Sequence, residues 1–196
     1  MLEKNVSMII ATNNQHKLNE IRKMLPLSFT LETLKEAGVN FELPETSGSI
    51  EGNALQKART VYLETGKTTL ADDSGLLVEA LGNQPGVDSA IYAGLPRSDQ
   101  KNVDKLLAEL DGADNRKASF VTVLALIMDG QEFLFEGRVN GQITEGLSGN
   151  GGFGYDPVFM PDGYDCTFAV MSDDEKNAIS HRANAVAKLK EFFDKQ

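Results

Sequence analysis

The chain has 196 residues, of which 41% are hydrophobic and 24% are charged, and its formal net charge at pH 7 is −10. These values suit one globular domain, predicted over 8–196 after a short N-terminal extension at 1–7. No apolar run approaches the roughly 20 residues that a membrane helix needs, and residues 1–7 do not form a secretion signal. The negative charge repels other polyanions at long range, so we expect no binding to nucleic acid.

The cysteine and histidine content narrows the chemistry that the chain can perform. Cys166 is the only cysteine, which excludes a disulfide within the chain and a cysteine-based zinc site and favours a cytoplasmic protein. His16 and His181 are the only histidines, so a site built from several histidines is not expected. Any metal would have oxygen ligands, which indicates magnesium or manganese.

The first third of the chain alternates predicted strands with predicted helices. A strand is predicted over 8–11 and a helix with regular apolar spacing over 17–25. A second strand is predicted over 29–34, and a second helix from about residue 51 to residue 65. Strands that alternate with helices are typical of α/β folds.

The middle of the chain contains the segment with the most distinctive chemistry. A strand from Thr68 is predicted to end in two aspartates, followed by a helix over 76–81. A loop punctuated by glycines spans 82–94, and Ser98 is predicted to cap a helix that ends at Leu110.

The last third of the chain predicts a long hairpin and a terminal helix. An apolar strand over 118–128 is paired with a strand over 132–144, which Asn140-Gly141 is expected to break. A helix over 172–193 begins with a predicted capping box and is interrupted near Ser180. Together the elements predict an α/β fold in which a mixed β-sheet is flanked by helices.

The acidic end of the strand that begins at Thr68 suggests a metal site. Asp72 and Asp73 are followed by Ser74 and Gly75, and adjacent carboxylates need solvent or a cation beside them. A hard divalent metal fits such a pair. Because successive strand residues face opposite sides of a sheet, the two aspartates are expected to have different roles. The alternative is an acidic turn that caps the next helix.

A polar turn at 11–17 joins the first predicted strand to the first helix. The backbone N–H groups at the start of a helix attract anions, Lys17 adds a positive charge, and Thr12 and Asn14 add hydrogen bonds. The glycines of a Walker loop are absent. The alternative is an ordinary asparagine-rich turn.

Two groups of polar residues are predicted to lie on helices. Asn53 and Lys57 are four residues apart, so they share one helix face and suggest the wall of a site. Lys176, His181 and Arg182 supply three possible cationic donors within seven residues. The alternative for both groups is an ordinary solvated helix surface.

A glycine-dense segment at 149–157 carries two aromatic side chains. Glycines let the backbone approach a ligand closely, and Phe153 and Tyr155 offer faces on which a planar base can stack. Pro157 is expected to hold Asp156 extended. The alternative is a flexible loop.

Carboxylates for a metal, cations for phosphate and aromatics for a base together indicate a nucleoside triphosphate. The same segments resemble the inosine triphosphate pyrophosphatase family over about Met8 to the C-terminus. The motifs that carry the resemblance occur in order: Ala-Thr-Asn-Asn-x-x-Lys, Glu-Thr-x-Gly, Asn-Ala-x-x-Lys-Ala, Ala-Asp-Asp-Ser-Gly-Leu, Pro-Gly-Val-x-Ser-Ala, Gly-Gly-Phe-Gly-Tyr-Asp-Pro and Glu-Lys-Asn-Ala-Ile-Ser-His-Arg.

The resemblance implies hydrolysis of ITP, dITP and XTP to the monophosphate and pyrophosphate. It implies an elongated mixed sheet in two lobes with a central cleft, a homodimer, and Mg²⁺ with Mn²⁺ as a substitute. Asp73 would be the catalytic proton acceptor that also contacts the metal, Glu45 the second metal-associated acid, and Asp72 a supporting group that orients a lysine or caps the turn. The implied phosphate and substrate contacts are Thr12, Asn13, Asn14, Gln15, His16, Lys17, Lys57 and Ser74. The implied nucleotide-binding positions are Phe153, Gly154, Tyr155, Asp156, Lys176, His181 and Arg182.

The chain departs from the family pattern at three positions. The family often has an acid at the position of Gly52, an aromatic residue at Asp88 and a basic residue at Ile91. The change at Ile91 removes a cation and puts in doubt the contact which that cation makes.

Three alternatives remain open. One is a related pyrophosphatase that prefers modified pyrimidine or 7-methylguanosine nucleotides. Another is a sensor that binds a nucleoside triphosphate without cleaving it, which would have no use for an acidic metal site. The third, a nucleic-acid-binding protein, is disfavoured by the net charge.

Overall fold

The computed structural model describes residues 5–196, in which seven β-strands form one sheet and five α-helices flank it. The strands are β1 (Val6–Ala11), β2 (Phe29–Thr33), β3 (Thr69–Val78), β4 (Gln84–Gly86), β5 (Lys117–Met128), β6 (Gln131–Ile143) and β7 (Phe159–Pro161). The helices are α1 (Gln15–Met24), α2 (Ile50–Thr65), α3 (Asp99–Glu109), α4 (Asp173–Ile179) and α5 (His181–Asp194).

The sheet contains both parallel and antiparallel pairs. Its order is β2-β1-β3-β5-β6-β7, with β4 paired to β3. β1 runs parallel to β2 and β3, whereas β4 is antiparallel to β3 and β7 is antiparallel to β6. The predicted class, a mixed α/β sheet flanked by helices, is confirmed. Among residues 5–196 no helix is both long and apolar enough to cross a bilayer.

The chain divides into two compact units, each built from separate segments. The first contains residues 5–73 together with Thr122–Gly137 and Arg182–Gln196. The second contains Ser74–Val121 and Arg138–His181. β3, β5 and β6 therefore each contribute residues to both units.

In the first unit, hydrophobic clusters lie on both faces of the sheet. Side chains alternate along β1: Met8 and Ile10 join a cluster with residues of α1 and α5, whereas Ile9 and Ala11 join a cluster with residues of α2. A strand covered on both faces has apolar residues in succession, which explains the unbroken apolar run at the start of the chain.

The second unit has its own core around three phenylalanines. The ring centroids of Phe120 and Phe159 are 4.7 Å apart, and those of Phe159 and Phe168 are 5.2 Å apart. Leu76 and Val78 of β3 are fully buried in the same cluster. The second half of β3 therefore belongs to this core.

Two predicted elements are wrong. The helix predicted over 76–81 is instead the end of β3, followed by a short 3₁₀ turn at Glu79–Leu81. An apolar run of this length fits either a helix or a strand, and pairing with β4 selects the strand. The break predicted at Asn140-Gly141 is also absent, because β6 continues to Ile143. Gly141 has a different role there: a Cβ atom would come within 2.9 Å of the Pro161 Cα on β7.

The ends of several elements agree with the sequence signals. Ser172 and Glu175 form the predicted capping box, and Ser180 separates α4 from α5 in an extended conformation. β1 begins at Val6, so Val6 and Ser7 belong to the sheet and not to the extension predicted over 1–7. The remainder of that prediction, at 1–4, lies outside the described residues.

Candidate functional site

The alternation of side chains along β3 separates the two aspartates. Leu70 lies in the cluster formed with α1 and α5, and Ala71 lies in the cluster formed with α2. Two residues further on, Asp72 contacts side chains of α1 and α5, whereas Asp73 contacts a side chain of α2. The expectation that the two aspartates face opposite sides of the sheet is confirmed, and their different roles remain a prediction.

Asp72 is the buried centre of the first ionic group. Its Oδ2 atom lies 2.9 Å from Lys17 Nζ and 3.8 Å from Arg182 Nη2, and its side chain is inaccessible to solvent. Arg182 Nη1 also donates to Glu20 Oε2. Burial alone would raise the pKa of Asp72, but Lys17, Arg182 and Lys57 lower this pKa to about 2. Asp72 is therefore ionised at neutral pH and orients Lys17. Orienting a lysine is one of the two roles that were expected of Asp72.

Asp73 belongs to a second ionic group, centred on Lys57 of α2. Lys57 Nζ donates to Glu45 Oε1 at 2.6 Å and to Asp73 Oδ1 at 3.0 Å. Burial raises the pKa of Asp73, although Lys57 and Lys17 oppose this. Burial would lower the pKa of Lys57, but the surrounding carboxylates, Asp73 first, raise it. Lys57 is thus an ammonium ion held between two carboxylates.

The segment that carries Glu45 is held against α2 by two amide side chains. Gln56 accepts a hydrogen bond from the Thr46 backbone N–H at 2.8 Å and donates to Thr46 Oγ1 at 2.9 Å. Asn53 Oδ1 accepts from the backbone N–H and the hydroxyl of Ser47. Asn53 and Lys57 are both buried and contact this segment, so the helix face that they share is not an ordinary solvated surface. Gln56 was not predicted as a site residue, because its partner Thr46 is ten residues away and the pair has no local signature.

Gly52, one of the three departures from the family pattern, lies next to these contacts. A Cβ atom at this position would come within 2.7 Å of Ser47 Cβ and 2.8 Å of Ser49 Oγ. The space beside residue 52 is thus occupied by two serine side chains. Ile91, another departure, is 43% exposed.

Side chains of the polar turn before α1 accept hydrogen bonds from backbone N–H groups of the same segment. Asn14 Oδ1 accepts from the backbone N–H groups of His16 and Lys17 at 3.0 and 3.2 Å, and Thr12 Oγ1 accepts from the N–H of Asn14. These helix N–H groups were predicted to bind an anion. Asn14 already satisfies two of them, and the Lys17 ammonium is paired with Asp72.

In the second unit, Asp156 links the glycine-dense segment to α4. Its Oδ2 atom accepts from the Phe153 backbone N–H at 2.8 Å and from Lys176 Nζ at 2.7 Å. Lys176 Nζ also lies 4.9 Å from the centroid of the Phe153 ring. Asp156 begins a 3₁₀ turn with Pro157, so the expectation that it is extended is wrong. The structure brings Phe153, Asp156 and Lys176 together.

Two other predicted base contacts have partners inside the second unit. Tyr155 is 4% exposed and its hydroxyl donates to the Ser89 carbonyl, so its ring is part of the core and not an open stacking face. The buried His181 ring stacks on Phe120 with centroids 4.7 Å apart. Phe153, the other aromatic of the segment, is half-buried.

The glycine-dense segment packs closely against the backbone of the protein itself. The Gly151 N–H donates to the Ala169 carbonyl, and a Cβ atom on Gly151 would lie 2.9 Å from the same oxygen. A side chain at this position would therefore push two backbone segments apart. Close packing against the Ala169 backbone therefore requires Gly151, although the glycines of this segment were predicted to make room for a ligand.

Glu45 and Asp73 carry oxygen atoms of the kind that bind a hard divalent cation. Glu45 and Asp73 already converge on one positive group, the Lys57 ammonium. Among residues 5–196 no group of three or more His, Cys, Asp and Glu side chains could hold a metal. Two carboxylates suit magnesium, which commonly takes its other ligands from water and substrate phosphates.

Comparison with known proteins gives matches over nearly the whole chain. The model of the Ham1 family matches residues 8–192. A dITP/XTP pyrophosphatase of Flavobacterium psychrophilum is 47% identical over 96% of this chain and 99% of its own length. One from Porphyromonas gingivalis is 50% identical over 95% and 96%.

Solved structures agree with these sequence matches. The Ham1 protein of Staphylococcus aureus has a TM-score of 0.88 at 39% identity and covers 96% of this chain and 98% of its own. A HAM1 protein from Coxiella burnetii has a TM-score of 0.90 at 36% identity and covers 97% and 100%. These matches confirm the family resemblance that the sequence motifs indicated.

Proposed function

Because this chain belongs to the Ham1 family, we propose that it is a nucleoside triphosphate pyrophosphohydrolase that cleaves ITP, dITP and XTP. The products are the nucleoside monophosphate and pyrophosphate, so the enzyme removes non-standard purine nucleotides from the nucleotide pool. Relatives that match over nearly their full length are named dITP/XTP pyrophosphatase, which supports this proposal.

The arrangement of Lys57 between Glu45 and Asp73 is the observation that carries the proposal. A nucleotide sensor without catalysis has no need for a buried carboxylate whose pKa is raised, whereas a general base benefits from such a shift. Lys17 lies at the start of α1, where a positive charge and a helix N-terminus both attract phosphate.

In the proposed reaction, water attacks the α-phosphorus. A bond forms between the water oxygen and phosphorus, and the bond to the bridging oxygen breaks, so pyrophosphate leaves with the bonding electrons. Asp73 orients the water and accepts its proton, and Lys17 and Lys57 hold the phosphate oxygens. Magnesium, held by Glu45 and Asp73 and replaceable by manganese, would neutralise charge that develops on these oxygens.

Recognition of the base is proposed to involve residues from the C-terminal motifs. Phe153 stacks on the base, while His181 and Arg182 donate to a 6-oxo group and disfavour the 6-amino group of adenine. Lys176 and Asp156 hold the segment around Phe153. The remaining proposed substrate contacts are those implied by the motifs: Thr12, Asn13, Asn14, Gln15, His16, Ser74 and Gly154.

We also propose that the protein is a homodimer that acts in the cytoplasm. The family resemblance supports the dimer, and the single cysteine is consistent with a reducing compartment. Light scattering on the purified protein should give about twice the subunit mass of 21.3 kDa. A mass equal to one subunit would contradict the dimer.

A panel of nucleotides tests the proposed function. Pyrophosphate release is measured with ITP, dITP, XTP, ATP and GTP, with 7-methyl-GTP and modified pyrimidine triphosphates, in Mg²⁺, in Mn²⁺ and in EDTA. We expect the three non-standard purines to be preferred and EDTA to abolish turnover. Preference for 7-methyl-GTP or a modified pyrimidine would favour the related pyrophosphatases, and binding without turnover would favour a sensor.

Replacement of Arg182 tests the proposed recognition of the base. Arg182→Ala is expected to reduce the ratio of kcat/KM for ITP to that for ATP by about tenfold, because one donor to the 6-oxo group is lost. Arg59→Ala is the matched control, since Arg59 also pairs with a glutamate, Glu132, but on the surface. An unchanged ratio in a folded Arg182→Ala protein would rule out the recognition role.

A further inference from the structure

Two carboxylates hold consecutive backbone N–H groups of the turn that carries Phe153. The Phe153 N–H donates to Asp156 Oδ2 at 2.8 Å, and the Gly154 N–H donates to Asp99 Oδ2 at 2.9 Å. Hydrogen bonds to ionised acceptors are stronger than those between neutral groups. The turn is therefore held by two carboxylates, that of Asp156 in the same segment and that of Asp99 on α3.

Asp99 is 55 residues away from Gly154 in the sequence and is the first residue of α3. Ser98 caps that helix through the Lys101 N–H, so the Asp99 carboxylate is not needed as the cap. Arg97 Nε lies 3.6 Å from Asp99 Oδ1, and both side chains are partly exposed. The hydrogen bond from the Gly154 N–H is shorter, at 2.9 Å.

α3 also holds the segment that contains Ser89, with which Tyr155 forms a hydrogen bond. Asn102, three residues after Asp99 and so on the same face of α3, accepts from the Ala93 N–H and donates to the Ser89 carbonyl. The Tyr155 hydroxyl donates to that carbonyl as well, at 2.9 Å. α3 therefore fixes the turn at two points, directly through Asp99 and indirectly through Asn102.

We propose that Asp99 is a positioning residue for nucleotide binding, which acts by fixing the turn that presents Phe153. This inference rests on the proposed function, in which Phe153 stacks on the base. Asp99 belongs to the second unit, whereas Asp72 and Asp73 belong to the first. Loss of Asp99 should therefore weaken binding of the base and leave the chemical step largely intact.

The test compares Asp99→Ala with Asp99→Asn, which keeps an oxygen acceptor. We expect Asp99→Ala to raise KM for ITP about tenfold, to change kcat less than threefold and to accelerate hydrogen exchange of the Gly154 amide. Asp99→Asn should restore most of both properties. Asp104→Ala is the matched control, because Asp104 is exposed on the same helix and accepts a hydrogen bond from Gln100 of that helix.

Several results would overturn the inference. They are an unchanged KM and unchanged Gly154 exchange in Asp99→Ala, a fall in kcat without a rise in KM, and equal defects in the Ala and Asn variants. If Asp99→Ala does not fold, Asp99→Ser, whose hydroxyl is one bond closer to the backbone than the carboxylate oxygens, takes its place. If the parent cleaves no nucleotide, the proposed function fails, and the exchange of the Gly154 amide still decides whether Asp99 fixes the turn.

Discussion

Asp73→Asn is expected to lower kcat for pyrophosphate release from ITP by about a thousandfold. The amide cannot accept the proton of the attacking water, and loss of a general base typically costs 10²–10⁴ in rate. It also removes one of the two carboxylates that converge on Lys57. The measurement is the rate of pyrophosphate release at saturating ITP and Mg²⁺, with folding checked by thermal unfolding.

The control for this variant is Asp194→Asn, which changes an exposed carboxylate at the end of α5. It should retain the rate of the parent. If Asp73→Asn is folded and stays within a few-fold of the parent, Asp73 is not the proton acceptor.

Asp72→Asn is expected to cost roughly 3–5 kcal/mol in the free energy of unfolding, the range typical of breaking a buried ion pair. Asp72 is buried between Lys17 and Arg182, and the variant leaves these cations without its negative charge. Glu32→Gln is the control, because Glu32 pairs with a more exposed lysine, Lys67, and such pairs contribute at most about 1 kcal/mol. Urea unfolding at neutral pH measures both losses.

The pH dependence of stability gives a second readout for Asp72. Its pKa is lowered from 3.8 to about 2 in the folded protein, so the carboxylate stabilises the fold fully above its unfolded pKa. This contribution is lost as the pH falls from about 4 to about 2. The parent should lose stability over this window, and Asp72→Asn should lose less. Equal losses would contradict the assignment of this pKa shift to Asp72.

The sequence predicted those parts of the site that depend on local periodicity. The two-residue repeat of a strand was enough to separate Asp72 from Asp73, and the four-residue spacing on a helix was enough to pair Asn53 with Lys57. The capping box at Ser172 is likewise a local signal. These predictions succeeded because neighbours along the chain determine them.

Contacts between distant segments could not be predicted in this way. The pairing of Lys17 with Asp72, and of Gly154 with Asp99, depends on how strands and helices are arranged in space. The run at 76–78 illustrates the same limit, because its residues fit a helix or a strand and pairing with β4 decides between them. The glycines at 149–154 were assigned to a ligand, although contact with the backbone at Ala169 already requires Gly151.

The division of the chain into units restricts how this protein can be cut or rearranged. The chain passes from one unit to the other after Asp73, Val121, Gly137 and His181, and three of these crossings lie inside strands. No uninterrupted fragment contains one unit without part of the other. Neither unit can therefore be produced alone by truncation, and a single cut in the backbone cannot release one of them as a folded fragment.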